Sequence, residues 1–187
     1  MTKEQLHKLL NSANHSREKR LEMALLVFKN PDILTPLMDI AFADTDLTSS
    51  KACWVIEFTA KEKLSYIFPH LDVFTKNIAS LKQQPSIRPM AKICEYLTTA
   101  YFHKNKNEVQ QKLKEKHLEA ITSACFDWLI GDHKVAAQAY AMTSLFLLGQ
   151  KYDWIHPELK MILEQNYASG SAAYKARARM TLAKIKV

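Results

Sequence analysis

Glycine is nearly missing from this sequence, with 3 Gly and 6 Pro in 187 residues. An all-β fold needs many tight turns, which draw on both residues, so the scarcity argues against one. The same scarcity excludes a phosphate-cradling loop, because the three glycines stand singly, as punctuation between apolar stretches. Cysteine is as rare: Cys53, Cys94 and Cys125 are odd in number and each lies inside an apolar stretch. Their separation of roughly 30–40 residues suits neither a disulfide framework nor a zinc site. Long apolar runs are absent too, none approaching the ~18 residues of a membrane-spanning helix. Lys3, Glu4, His7 and Lys8 break up the leucines of the first ten residues, so the apolar core of a secretory signal is missing. The expectation is a cytoplasmic protein with buried, reduced thiols and no membrane partner.

What is present is helix-forming. Hydrophobic residues make up 48% of the chain and charged residues 24%, and a chain of this length buries roughly 70% of its unfolded surface as one domain, 1–187. Apolar residues recur at helical spacing: Leu21, Leu25, Phe28; Ile93, Leu97, Tyr101; Ile121, Cys125, Leu129; Leu159, Ile162, Leu163. Thr2 with Gln5 has the pattern of a capping box, Asn30-Pro31 and Ser171 mark helix starts, and Gly149 and Gly170 mark helix ends.

A local phrase repeats. Ile67-Phe68-Pro69-His70-Leu71 is matched by Ile155-His156-Pro157-Glu158-Leu159 and more loosely by Leu34-Thr35-Pro36-Leu37-Met38. In each, an apolar residue two before the proline is expected to tuck under a helix beginning at that proline. Basic residues open a second set of apolar stretches at Arg17, Lys51, Arg88, Lys134 and Lys175, spaced by 34, 37, 46 and 41 residues. These residues resemble the HEAT family, whose repeats of about 40–47 residues pair a first helix with a proline-led second one. The resemblance covers about residues 16–187 and implies a right-handed α-α superhelix of about four helix pairs, capped by helices near 3–13 and 172–185. The polar segment 104–117 departs from the pattern and lacks the proline, so an exposed, partly helical insertion is expected there.

Candidate chemistry is sparse. No two of the seven histidines are three or four residues apart, the spacing of helical zinc ligands. His15 with Glu18 and Glu22 reads as a solvated helix start, and His70 and His156 read as turn residues. Glu57, Glu95 and Asp127 sit inside apolar helices beside aromatic residues, where burial would raise a carboxyl pKa. The reading preferred for all three is a pairing with Lys or Arg of the neighbouring repeat. No nucleophile signature occurs, and no catalytic residue, cofactor or metal is expected.

Two enzyme resemblances can be written residue by residue. Adenylosuccinate lyases carry a Ser-rich loop with Met-Pro, Lys and Asn; Ser86-Ile87-Arg88-Pro89-Met90-Ala91-Lys92 reverses the Met and Pro and lacks the Asn. The HEAT-like alkylpurine DNA glycosylases are similar in architecture and basic charge, which implies counterparts among Trp54, Trp128 and Trp154 with Glu57 or Asp127. The formal charge of +7 and pI near 9.2 permit nucleic acid as a partner without requiring it. The sharpest basic cluster is Lys175, Arg177, Arg179, Lys184 and Lys186. On one helix, Lys175, Arg179 and Lys186 share a face and Arg177 and Lys184 share another. The function expected is a non-enzymatic protein-interaction scaffold with a protein partner, the alternative a nucleic-acid-binding or DNA-repair protein, and a relative of adenylosuccinate lyase the remote third.

Overall fold

The computed structural model describes residues 1–12 and 16–185, and of Arg17 and Arg20 the backbone alone. Helices account for 80% of the described residues, among which there is no strand. Helix starts follow from local chemistry. Thr2 and Gln5 exchange hydrogen bonds of 3.0 and 3.2 Å and open α1 (Lys3–Ser12). Ser16 caps α2 (Arg17–Lys29), and a 3-10 turn, Pro31–Ile33, leads into α3 (Leu34–Ala43). Asp46 accepts from the amides of Thr48 and Ser49 at 2.8 and 3.0 Å and caps α4 (Leu47–Glu62). The 3-10 segment Leu64–His70 leads into α5 (Leu71–Asn77) and Ile78–Ser80 into α6 (Gln84–Tyr101). After α7 (Glu108–Lys112) come α8 (Glu115–Ile130), α9 (Val135–Leu148), α10 (Ile155–Tyr167) and α11 (Ala172–Leu182), the last capped by Ser171.

The helices pack in two rows. Helices α2, α4, α6, α9 and α11 touch in succession. Alongside them α3 packs on α4, α5 touches α3 and α8, α8 lies on α9, and α10 bridges α9 and α11. Within the first row small residues stand at several of the contacts. Ser50 and Ser86 meet at 3.0 Å between α4 and α6, and Thr98 donates to Ser144 at 3.3 Å between α6 and α9. Ala137, Ala141 and Ala178 are buried in the same row, which lets neighbouring axes approach closely. A proline adds another tie. Pro89 lies inside α6 and has no N–H to offer the carbonyl of Pro85, which instead accepts from the Trp54 indole of α4 at 3.1 Å. One cluster of buried apolar residues runs from Leu6 to Ala178.

The proline phrases differ in detail from expectation. Leu34, Ile67 and Ile155 are buried as expected, but α3 and α10 begin two residues before Pro36 and Pro157, and α5 begins two after Pro69. The first four amides of a helix have no intrahelical acceptor, so a proline anywhere in the first turn costs no bond. The segment 104–117 is exposed only in part. Lys104, Asn105 and Lys106 face solvent, whereas Val109 inside α7, Leu113 at its C-terminal end and His117 inside α8 are buried.

Candidate functional site

The C-terminal end of α4, the turn Leu64–His70, one face of α6 and the start of α7 enclose a groove of about 790 Å³. Helix α6 supplies Lys92, Glu95, Tyr96 and Thr99, spaced so that all lie on one side, and His103 follows just past its C-terminal end. Leu64, Phe68, Tyr96, Ala100 and Val109 give apolar walls, and the exposed Lys61, His103 and Glu108 bring charge or polarity to the edge.

Charges within the groove are held in place. Lys92 pairs with Glu95 and lies 4.9 Å from the ring centre of Tyr96 and 4.4 Å from that of Tyr140 on α9. A lysine between two tyrosine faces is stabilised by their quadrupoles as well as by the carboxylate. Beside it Arg88 meets Glu57 at 2.8 Å, joining α6 to α4. Burial, followed by the charges of Glu57 and Glu95 and the neighbouring Tyr140, pushes the Tyr96 phenol up to about 12, so it stays a protonated donor at neutral pH.

The three acidic residues singled out from sequence therefore part company. Glu57 pairs across helices. Glu95 pairs within its own helix, because Lys92 precedes it by three residues. Asp127 is exposed, since the buried side of α8 at that height belongs to Trp128. The tryptophans do not converge: Trp54 is nearly buried against Pro85, Trp128 is in the core, and Trp154 is 55% exposed. The string Ser86–Lys92 lies inside α6 and not on a loop, with Ser86, Pro89 and Met90 buried.

Histidines act as connectors. His156 donates from Nε2 to the carbonyl of Phe146 at 2.9 Å and stacks on its ring, and His133 meets Gln84 at 2.9 Å. His70 is half-buried in the 3-10 segment, and desolvation lowers its pKa. His117 accepts at Nδ1 from the amide of Lys114 at 3.1 Å, which leaves Nε2–H to donate to Asp72 at 2.6 Å. His15 lies outside the described residues. Among the described residues no group of three His, Cys, Asp or Glu could hold a metal ion, and no helix is long and apolar enough to cross a membrane.

Cys53, Cys94 and Cys125 are fully buried. Burial pushes the Cys53 thiol up to about 12, and burial together with its neighbour Cys125 raises Cys94. Because the thiolate is the reactive form, labelling by a thiol reagent should proceed only through unfolding. The check is a time course with an aromatic disulfide reagent, in which rapid reaction of one thiol in native buffer would contradict the burial.

The basic cluster is split by its surroundings. Arg177 is half-buried, 3.5 Å from Thr143, and Lys184 lies 5.9 Å from the ring centre of Phe146, so both turn toward α9. Lys175 is half-buried, whereas Arg179 is exposed and shares a shallow hollow with Glu164 and Tyr167 of α10. Lys186 lies outside the described residues.

Sequence reasoning passed over the groove, although its signal is visible: Lys92, Glu95, Tyr96 and Thr99 draw one polar stripe down a largely buried helix. Compared with family models, curated proteins and solved structures, the chain finds no match in any of the three.

Proposed function

We propose that this protein is a non-enzymatic interaction module, a short HEAT-like solenoid whose groove beside α6 receives a segment of a partner protein. The groove itself carries this reading: about 790 Å³ of open space with apolar walls and charges of both signs at its edge. Such a surface suits an amphipathic peptide, whose apolar side chains fill the walls while its polar ones meet Lys61, His103 and Glu108. Lys92 and Glu95 are already fixed by each other and by two tyrosines, so binding need not first order them.

Panning a peptide-display library against the full chain and measuring the selected peptides by calorimetry tests the proposal. Thr99 is exposed within the groove, so Thr99→Arg should fill it without disturbing the core and weaken binding at least tenfold. Arg179→Glu, on α11, should leave affinity unchanged. Peptides that bind wild type and Thr99→Arg equally would remove the groove from the proposal.

A nucleic-acid reading draws on the +7 charge and on an α11 region whose charges are all basic. It requires retention of duplex DNA at ~50 mM salt, with log K falling by about 0.9 per phosphate neutralised. The turn of Arg177 and Lys184 toward α9 thins that surface, and the scattered tryptophans speak against the glycosylase variant.

A further inference from the structure

A second cavity, of about 500 Å³, lies between α8 and the segment that leads into α10 and shares no lining residue with the groove. Its chemistry is different. Along α8, Glu119, Ser123 and Asp127 fall at i, i+4 and i+8, so all three face the same way and are exposed. At 1.5 Å per residue the two carboxylates are anchored about 12 Å apart along the axis. Between them the cavity has aromatic walls: Phe126, the Trp154 ring stacked on it at 5.5 Å with planes 20° apart, and Tyr152. Trp154 keeps 55% of its surface in solvent.

Neither carboxylate is used by the fold. Among the described residues Glu119 and Asp127 have no ion-pair partner. The nearby Lys151 is committed elsewhere, 3.2 Å from Glu115 and over the Tyr152 ring at 5.6 Å. No Lys or Arg lines the cavity. In a protein of net charge +7, two unpaired carboxylates framing an exposed indole make a local preference for cations that the molecule as a whole does not have.

We propose that this cavity binds an elongated organic polycation, a linear polyamine whose two ends meet Glu119 and Asp127 while its methylene stem lies on Trp154 and Phe126. Ring faces attract the ammonium groups and the adjoining CH₂ groups alike, and the carboxylates fix the ends. A triamine such as spermidine spans about the anchor separation, whereas putrescine reaches about half of it. Two lysine side chains of a partner polypeptide offer the same chemistry. The site does not depend on the groove or on what fills it.

The test follows the three indole N–H signals of the ¹⁵N-labelled full chain, with Trp154 assigned by Trp154→Phe. Spermidine should shift the Trp154 signal saturably and leave those of the nearly buried Trp54 and the core Trp128 in place. Putrescine should bind at least tenfold more weakly. The double variant Glu119→Gln/Asp127→Asn should also lose at least tenfold while melting as wild type does, and Glu4→Gln, on α1, should bind normally. A peptide with two lysines separated by two glycines distinguishes the sources: tighter binding than spermidine assigns the site to a partner's side chains, and weaker binding to the free amine. No movement of the Trp154 signal at about 10 mM spermidine in about 20 mM salt would overturn the proposal, as would equal binding by the charge-neutralised variant.

Discussion

Leu145→Ala is expected to lower the free energy of unfolding by about 3 kcal/mol and the melting temperature by roughly 6–12 °C. Helix α9 contacts α6, α8, α10 and α11, and Leu145 is completely buried within it. Truncation removes apolar surface from the interior and opens a cavity that helices held on several sides cannot close. The opposite error should also register. Ala141 is fully buried on the same helix, and Ala141→Leu should cost about 1–3 kcal/mol by forcing the row apart. Met161, 54% exposed on α10, supplies the control, since Met161→Ala should stay within about 0.5 kcal/mol of wild type. Urea unfolding of the three variants is the measurement. A loss below about 1 kcal/mol for Leu145→Ala would mean that α9 is not the packing centre of the molecule.

What the sequence made legible is what depends on neighbours along the chain. The Thr2–Gln5 box, the Ser171 cap and the stop at Gly149 are each decided within four residues, and each is found where its residues stand. The apolar stripes of α6 and α8 were equally plain, because a period of 3.6 needs no partner to be seen. The groove depends on residues distant in sequence. Lys92 meets Tyr140 only because α6 and α9 stack, and Leu64 and Val109 reach the same space from two connecting segments. Asp127 shows the other limit. Beside Trp128 it read as an acid of an apolar helix paired with a cation of the neighbouring repeat, yet one residue turns a helix by about 100° and leaves Asp127 exposed, with no ion pair among the described residues. Small residues also speak quietly: Ser50, Ser86, Thr98 and Ser144 look polar in sequence and lie buried where helices meet.

His117 was hidden in a lysine-rich segment that reads as solvated, and His117→Ala is expected to cost about 2 kcal/mol. The loss has two parts. Removing the ring leaves a cavity in a position that is 3% exposed, and it takes away the acceptor of the Lys114 amide at the start of α8. His117→Gln restores an acceptor at that position of the helix, as Gln110 supplies one for Asn107 in α7, and should recover about half of the loss. The partner carboxylate adds a pH dependence of known sign. Hydrogen bonds from Lys116, at 2.5 Å, and then from His117 lower the Asp72 pKa to about 2. A carboxylate whose folded pKa lies below its unfolded value of about 3.9 contributes stability above that unfolded value and loses it as the pH falls through the folded one. Asp72→Asn should therefore melt below wild type at pH 5, with the difference closing between about pH 4 and about pH 2. Asp72 is exposed, so the gap will be small. In His117→Ala the Lys116 bond remains, and the acid limb should be shallower than in wild type but still present. Melting curves for wild type and Asp72→Asn that run parallel from pH 5 to pH 2 would show that Asp72 does not link α5 to α8 in solution.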